Sequence, residues 1–258
     1  MTNRKYNEED GAGTTHFGFE KVTVGEKAGR VAEVFDTVSQ KYDIMNDVIS
    51  FGTHRVVKWY AINASNIKPG SKVLDIAAGT GDLTILISKR VGPQGSVILT
   101  DINEQMLTAA RARLAKADTP DNVQFAQADA EDLLFADNTF DAVTIGYGIR
   151  NFTNKTRALR EILRVIKPGG QLTIIEFSKP TSKPLQMMAE AYSSLWPTFG
   201  EILVGNGKPY RYLIDSIKMH PDQETFKSMM LDAGYAHVTY ENLMGGIAAL
   251  HIGLKPQA

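Results

Sequence analysis

An apolar run enters a glycine-bearing turn and leaves it into a stretch of helical periodicity at Val73-Leu74-Asp75-Ile76-Ala77-Ala78-Gly79-Thr80-Gly81-Asp82-Leu83. In a parallel α/β sheet such a turn lies at the carboxyl end of a strand, beside the ligand crevice. Gly79 and Gly81 allow a tight turn and let a ligand approach main-chain atoms that a Cβ would cover. Taken alone, the segment reads equally well as a strand followed by an ordinary turn.

The downstream pattern supplies the context. Strands are expected at Lys72–Ala77, Ser96–Asp101, Val123–Ala128 and Ala142–Ile145, with helices at Leu83–Arg90 and Glu104–Lys116. A helix over Lys155–Ile166, stopped by Lys167-Pro168-Gly169-Gly170, precedes a strand at Gln171–Phe177. Strands separated by helices of this length need parallel crossovers, so the expected fold is α/β with a doubly wound, mostly parallel sheet. The alternation lapses from Pro180 to about Pro221, an apolar helical insertion from Met187 to Tyr210 that reads as a cap. A helix at Asp222–Ala233 follows, then strands at Tyr235–Asn242 and Ile247–Leu254 joined by Leu243-Met244-Gly245-Gly246, an antiparallel hairpin. Ahead of the first strand, three apolar-faced stretches between Arg30 and Asn63 read as N-terminal helices, and polar residues 1–28 as a flexible lead-in. The division is therefore a lead-in at 1–28 and a single domain at 29–258, with N-terminal helices over 29–62 and the insertion over 180–220.

Composition limits the function. With 258 residues, 43% of them hydrophobic, the chain can bury a sizeable core, and a net charge of −1 argues against nucleic acid as a partner. Zero cysteines excludes disulfides and thiolate chemistry. Met1 to Asp10 lacks the apolar core of a signal peptide, and no run approaches the ~20 residues of a membrane span, so a cytoplasmic protein is expected.

Asp101 ends the second strand, where a carboxylate accepts hydrogen bonds from ribose hydroxyls. A dinucleotide site wants a third glycine where this chain has Thr84, and Asp75 and Asp82 beside the turn would repel a pyrophosphate. A ligand carrying a sulfonium and an ammonium instead of phosphate, S-adenosyl-L-methionine, suits those acids better. Asp129, in Gln127-Ala128-Asp129-Ala130, is placed to accept from an adenine amino group, or else to cap a turn.

Val73–Gly81, Asp101, Asp129-Ala130 and the Lys167–Gly170 turn together resemble the class I S-adenosylmethionine-dependent methyltransferases, with their Rossmann-like sheet. Three further segments, Val34–Asp47, Gly148-Ile149-Arg150-Asn151-Phe152 and Asn242–His251, resemble the ubiquinone/menaquinone biosynthesis C-methyltransferases (the UbiE family) over nearly the whole chain. The resemblance implies methyl transfer to a ring carbon of a prenylated quinol, demethylmenaquinol or a 2-methoxy-6-polyprenyl-1,4-benzoquinol. A methyltransferase acting on another phenolic or lipid-like acceptor is the alternative. It implies donor contacts at Thr80, Asp101, Asp129 and Ala130, and one at Gly146 where relatives carry a serine. Asp75, Gly79 and Gly81 complete the expected donor site.

The resemblance also implies an acceptor site at Tyr42, Arg150 and Asn151. Arg150, too basic to act as a free base, would hold a developing phenolate and position a water; otherwise it pairs with Glu176 or a nearby aspartate. Asn151 would hydrogen-bond a quinol oxygen. Among the histidines, His54 is placed to reach the crevice, His251 reads as structural, His16 lies in the lead-in, and His220 and His237 read as exposed. Their spacing carries no metal signature, so no metal is expected. A prenyl tail leaves room for peripheral contact at the inner face of a membrane, for a homo-oligomer and for a quinone-biosynthesis complex.

Overall fold

Alternation along each strand sorts its side chains onto two faces, and each face meets a different layer of helices. The computed structural model describes residues 13–38 and 42–257; the side chains of Val38, Tyr42, Asp43 and Leu203 lie outside that description. Its main sheet has the order β5-β4-β3-β6-β7-β9-β8, formed by β3 (Lys72–Ile76), β4 (Ser96–Asp101), β5 (Val123–Gln127), β6 (Phe140–Gly146), β7 (Ile166–Phe177), β8 (Ala236–Leu243) and β9 (Ala248–Leu254). The first five pair in parallel, whereas β9 runs antiparallel to both β7 and β8. Leu74, Ile76, Val143, Ile145, Leu172 and Ile174 pack on α6 (Lys155–Val165) and α10 (Gln223–Asp232). Val73, Val97, Ala142 and Ile175 face α3 (Thr53–Ala64) and α4 (Asp82–Val91). The chain leaves β3 toward β4 and β5, then crosses back to lay β6 on the other side of β3. That reversal opens the crevice at the strand ends where a doubly wound sheet binds ligands.

The cap has its own core. Met45 and Ile49 of α2 (Tyr42–Ser50) pack with Trp196 of α8 (Trp196–Val204) and Tyr210 of α9 (Lys208–Met219), and Phe35 of α1 (Val24–Val38) joins them. The N-terminal helices and the insertion, which also contains α7 (Lys183–Ser193), thus close over the crevice together.

The order expected to begin near residue 29 begins earlier. Within the expected lead-in, Thr14–Phe17 (β1) and Glu20–Thr23 (β2) form an antiparallel hairpin, while residues 1–12 lie outside the described residues. Phe17 stacks on Tyr212 of α9 with centroids 4.2 Å apart, and Val22 is buried, so two apolar anchors hold the hairpin to the cap. Helix α1 starts at Val24 because Thr23 and Glu26 form a capping box: the Thr23 N–H donates to Glu26 Oε2 at 3.0 Å, and the Glu26 N–H to Thr23 Oγ1 at 3.3 Å. Strand β7 also starts sooner, at Ile166, with Lys167–Gly170 inside it: Ile166 pairs with Phe140, and Gly169 and Gly170 exchange backbone bonds with Lys255.

Asp75, expected at the donor site, points instead between the sheet and α4. Its side chain is fully buried, Thr84 donates to Oδ2 at 2.6 Å and Thr144 to Oδ1 at 2.7 Å. Thr84, the residue that breaks the third-glycine pattern, is thereby the internal partner of Asp75. Burial pushes the Asp75 carboxyl up to about 6, against the two hydroxyl donors that favour its charge. The raised value means that the folded state holds the Asp75 proton more tightly than the unfolded chain. Its stabilisation is complete below the ordinary carboxylate range and is lost as pH rises through about 6. Asp75→Asn keeps a partner for each threonine without the buried charge. Urea unfolding should therefore show its stability relative to the parent protein improving between pH 4.5 and pH 8, by up to about 3 kcal/mol.

Candidate active site

At the carboxyl ends of β3 and β6 the backbone takes left-handed values at residues with side chains, Ala77 at φ 51° and Tyr147 at φ 59°. Such conformations cost about 1–2 kcal/mol each and concentrate where surroundings enforce them for function. A cavity of about 310 Å³ opens over these strand ends. Following the strand order, Asp129 and Ala130 come after β5, Asp101 ends β4, Gly79 and Thr80 follow β3, Gly146 ends β6 with Tyr147 after it, and Phe177 ends β7; all line the cavity. Arg150 and Asn151, in a single 3₁₀ turn at Ile149–Asn151, line it too. The roof is apolar, with Val31 and Phe35 from α1, Met45 and Ile49 from α2, and Tyr210 and Leu213 from α9.

Eight expected site residues therefore meet in one cavity: Gly79, Thr80, Asp101, Asp129, Ala130, Gly146, Arg150 and Asn151. Asp75 and Gly81 do not line it. Gly81 caps α4 at φ 85°, where an added Cβ would stand 2.7 Å from Leu114 Cδ1, so its smallness serves helix packing. Tyr42 begins α2, and its side chain lies outside the described residues. His220, expected at the surface, is buried against Phe226, and burial holds its pKa well below the usual imidazole value. His251 is buried, its Nε2 3.0 Å from the Gln223 carbonyl oxygen.

Asp101 is held from two sides. Oδ2 accepts from the Gly79 N–H at 2.9 Å and Oδ1 from the Asn103 N–H at 2.9 Å. Burial raises its pKa while these backbone donors lower it. Asn103 caps α5 (Glu104–Leu114) through the Met106 N–H at 3.0 Å, and its Nδ2 donates to Asp36 Oδ1 of α1 at 2.7 Å. Asp129, at the cavity wall, accepts the Glu131 N–H at Oδ1 at 2.8 Å, a turn contact.

The acidic turn expected from the sequence is charge-compensated. Lys58 Nζ is 2.7 Å from Asp82 Oδ2, and Arg113 pairs with Asp82 while donating to Thr80 Oγ1 at 2.9 Å. With Asp75 buried elsewhere and Asp82 paired, the two acids named in the sequence argument do not act on the cavity as free charges; Asp101 and Asp129 line it instead. Lys58 and Arg113 escaped the sequence reading, although Ser50, His54 and Lys58 recur at a spacing of four, a polar stripe on an otherwise apolar segment.

Arg150 forms the ion pair that was the alternative expectation. Its Nη1 lies 3.0 Å from Glu176 Oε1, its N–H donates to Glu176 Oε2 at 3.1 Å, and Nη1 also donates to the Tyr147 carbonyl. The guanidinium sits 5.5 Å from the Phe177 ring centroid. The pair is nearly fully buried, so removing one partner leaves the other charge uncompensated. Asn151 Oδ1 accepts from Tyr212 Oη at 3.0 Å, which turns its amide N–H groups to other acceptors. Glu176→Ala is expected to lower stability by about 3–5 kcal/mol in urea unfolding.

Residues 22–255 match the model of the ubiE/COQ5 methyltransferase family. The ubiquinone/menaquinone biosynthesis C-methyltransferase UbiE of Ectopseudomonas mendocina is 54% identical over 244 residues, 94% of this chain and 95% of that protein. The UbiE protein of Yersinia enterocolitica is 54% identical over 243 residues, 94% and 97% of the two chains. Among solved structures, a SAM-dependent methyltransferase from Aquifex aeolicus superposes with a TM-score of 0.58 at 21% identity, over 77% of this chain and 89% of that one, a likeness of fold. With a match across nearly its whole length and a cavity built at the switch point of its sheet, the chain belongs to the ubiE/COQ5 methyltransferase family.

Proposed function

We propose that the chain moves a methyl group from S-adenosyl-L-methionine to a ring carbon of a prenylated quinol, demethylmenaquinol, a 2-methoxy-6-polyprenyl-1,4-benzoquinol or both. The observation that carries this reading is a single cavity with a buried carboxylate, Asp101, beside the glycine turn and a fixed Arg150–Asn151 pair two strands away, under an apolar roof. Bound there, the donor supplies a methyl carbon made electrophilic by a positively charged sulfur.

The remaining lone pairs of Asp101 accept from the ribose hydroxyls, and Asp129 Oδ2 accepts from the adenine amino group beside Ala130. Thr80 and the backbone at Gly79 and Gly146 border the rest of the donor. At Gly146 a Cβ would stand 2.5 Å from Leu83 Cδ1, so a side chain like the relatives' serine requires Leu83 to move. The contact here comes from backbone. Asn151 Nδ2 donates to a quinol oxygen. Arg150, its charge balanced by Glu176, offers a fixed fork of N–H donors to the oxygen where negative charge develops and to a water beside it. Tyr42 is assigned to the same acceptor site. Holding donor and acceptor in line can contribute about 7–11 kcal/mol to the rate.

Several features support peripheral membrane contact. Among the described residues, no helix is long and apolar enough to cross a membrane. Yet Phe51, Trp59, Met187 and Met188 are exposed, and α7 buries none of its described residues. Met244, at the cavity wall, is 42% exposed. An acceptor tail entering from a bilayer would meet this rim. Cosedimentation with quinone-loaded vesicles at low salt is expected, and its absence would leave the tail to be presented in another way.

The decisive test is an assay with labelled donor on reduced short-chain demethylmenaquinol and methoxybenzoquinol analogues. Transfer to at least one is expected; transfer to neither, with transfer to another phenol, would move the chain to the alternative acceptor. Asp101→Ala should weaken donor binding in calorimetry by at least tenfold. Arg150→Ala should slow transfer by about 100-fold while leaving donor affinity within a fewfold of the parent value.

A further inference from the structure

Methylation of a ring carbon leaves a proton to be removed, and the Arg150 guanidinium is too basic to take it. His54 offers another acceptor. It lines the cavity from the first turn of α3, its Nε2 3.8 Å from Asp82 Oδ2 at the start of α4, in the same cavity as Arg150 and Asn151. Only 8% of the residue is exposed.

Its tautomer follows from its neighbours. Ser50 Oγ donates its single proton to the Asn46 carbonyl at 2.6 Å, and the same oxygen lies 2.6 Å from His54 Nδ1. With that proton on the carbonyl, we assign Ser50 as acceptor of Nδ1–H, the tautomer that leaves the lone pair on Nε2. Nε2 stands 3.8 Å from both Asp47 Oδ1 and Asp82 Oδ2, two carboxylates placed to stabilise an imidazolium once it forms. A pinned ring, a lone pair on Nε2 and two nearby carboxylates, Asp47 also bonded to Arg55 and Asp82 to Lys58 and Arg113, are the parts of a general base.

We propose that His54 Nε2 takes the proton from the methylated ring carbon. In that step the ring C–H bond breaks and its electron pair returns to the aromatic ring. An N–H bond forms at Nε2, and the imidazolium then gives the proton to water. The resting base is neutral in the working range: burial is the largest influence, and with Lys58 and Arg55 it lowers the His54 pKa from its usual value, against Asp82 and Asp47, which raise it. Arg113, paired with Asp82, is the remaining charge facing this group. Activity should therefore fall as pH drops through this lowered pKa and His54 becomes protonated.

The inference rests on the quinol reading, and the test separates the two. Parent protein and His54→Gln are compared on quinol with hydrogen or deuterium at the accepting carbon, with S-adenosylhomocysteine affinity measured by calorimetry. For His54→Gln, kcat should fall about 100-fold or more while that affinity stays within about threefold. The deuterium effect on kcat, near unity in the parent protein, should rise to several-fold as proton removal becomes limiting, and the acid limb of the pH profile should vanish. An unchanged deuterium effect, a retained acid limb or near-parental kcat overturns the role of His54. No methylation of any quinol by the parent protein overturns the quinol reading instead. Should His54→Gln fail to fold, Ser50→Ala decides: freeing the ring should reduce kcat about tenfold and shift the acid limb, and a parental profile overturns the proposal.

Discussion

One buried carboxylate ties the site together. Asp101 accepts the Gly79 N–H from the glycine turn with one oxygen and the Asn103 N–H with the other. Asn103 then caps α5 and reaches Asp36 on α1. A strand end, a turn, a helix start and the cap are thereby connected through four residues. A carboxylate taken out of water is costly unless its lone pairs are satisfied, so these bonds hold Asp101 in place and offset part of the burial that raises its pKa. The donor turn and the roof consequently share one reference point.

The other buried charges obey the same constraint. Arg150 is balanced by Glu176, and Asp82 by Lys58 and Arg113. Asp75, like Asp101, has only uncharged hydrogen-bond partners, and burial raises the pKa of both, that of Asp75 to about 6. The cavity therefore combines ion pairs with carboxylates fixed by backbone N–H donors. Such an environment needs little rearrangement when charge develops on an acceptor oxygen, which is how a preorganised site lowers a barrier. His54 stands within this network, its Nε2 3.8 Å from both Asp47 and Asp82, which favour an imidazolium while Lys58 and Arg55 oppose it.

Much of the fold was legible because periodicity is local. The alternation of Val73, Leu74, Asp75 and Ile76, and the apolar stripes of α5 and α6, needed no knowledge of their neighbours. The hairpin at Thr14–Thr23 escaped because two four-residue strands offer too few alternating positions, and its anchor, Phe17 on Tyr212, spans almost the whole chain. The start of α1 was readable in the spacing of Thr23 and Glu26, a capping box overlooked in a polar stretch. His220 looked like a loop residue because burial by Phe226 is a tertiary fact.

By itself the sequence determined the doubly wound sheet, the glycine turn at its switch point, and the residues that carry the family likeness. Backbone periodicity and motif spacing are written in neighbouring positions, so no folded partner is needed to read them. Only the tertiary structure decided which carboxylates face the cavity. Asp75 and Asp101 end adjacent strands, yet Asp75 points under α4 to Thr84 and Thr144 while Asp101 borders the open crevice. Which charge is compensated was likewise settled by packing, because Lys58, Arg113 and Glu176 meet their partners across separate elements. Electrostatic character depends on distance and burial in space, and neither is a property of position along the chain.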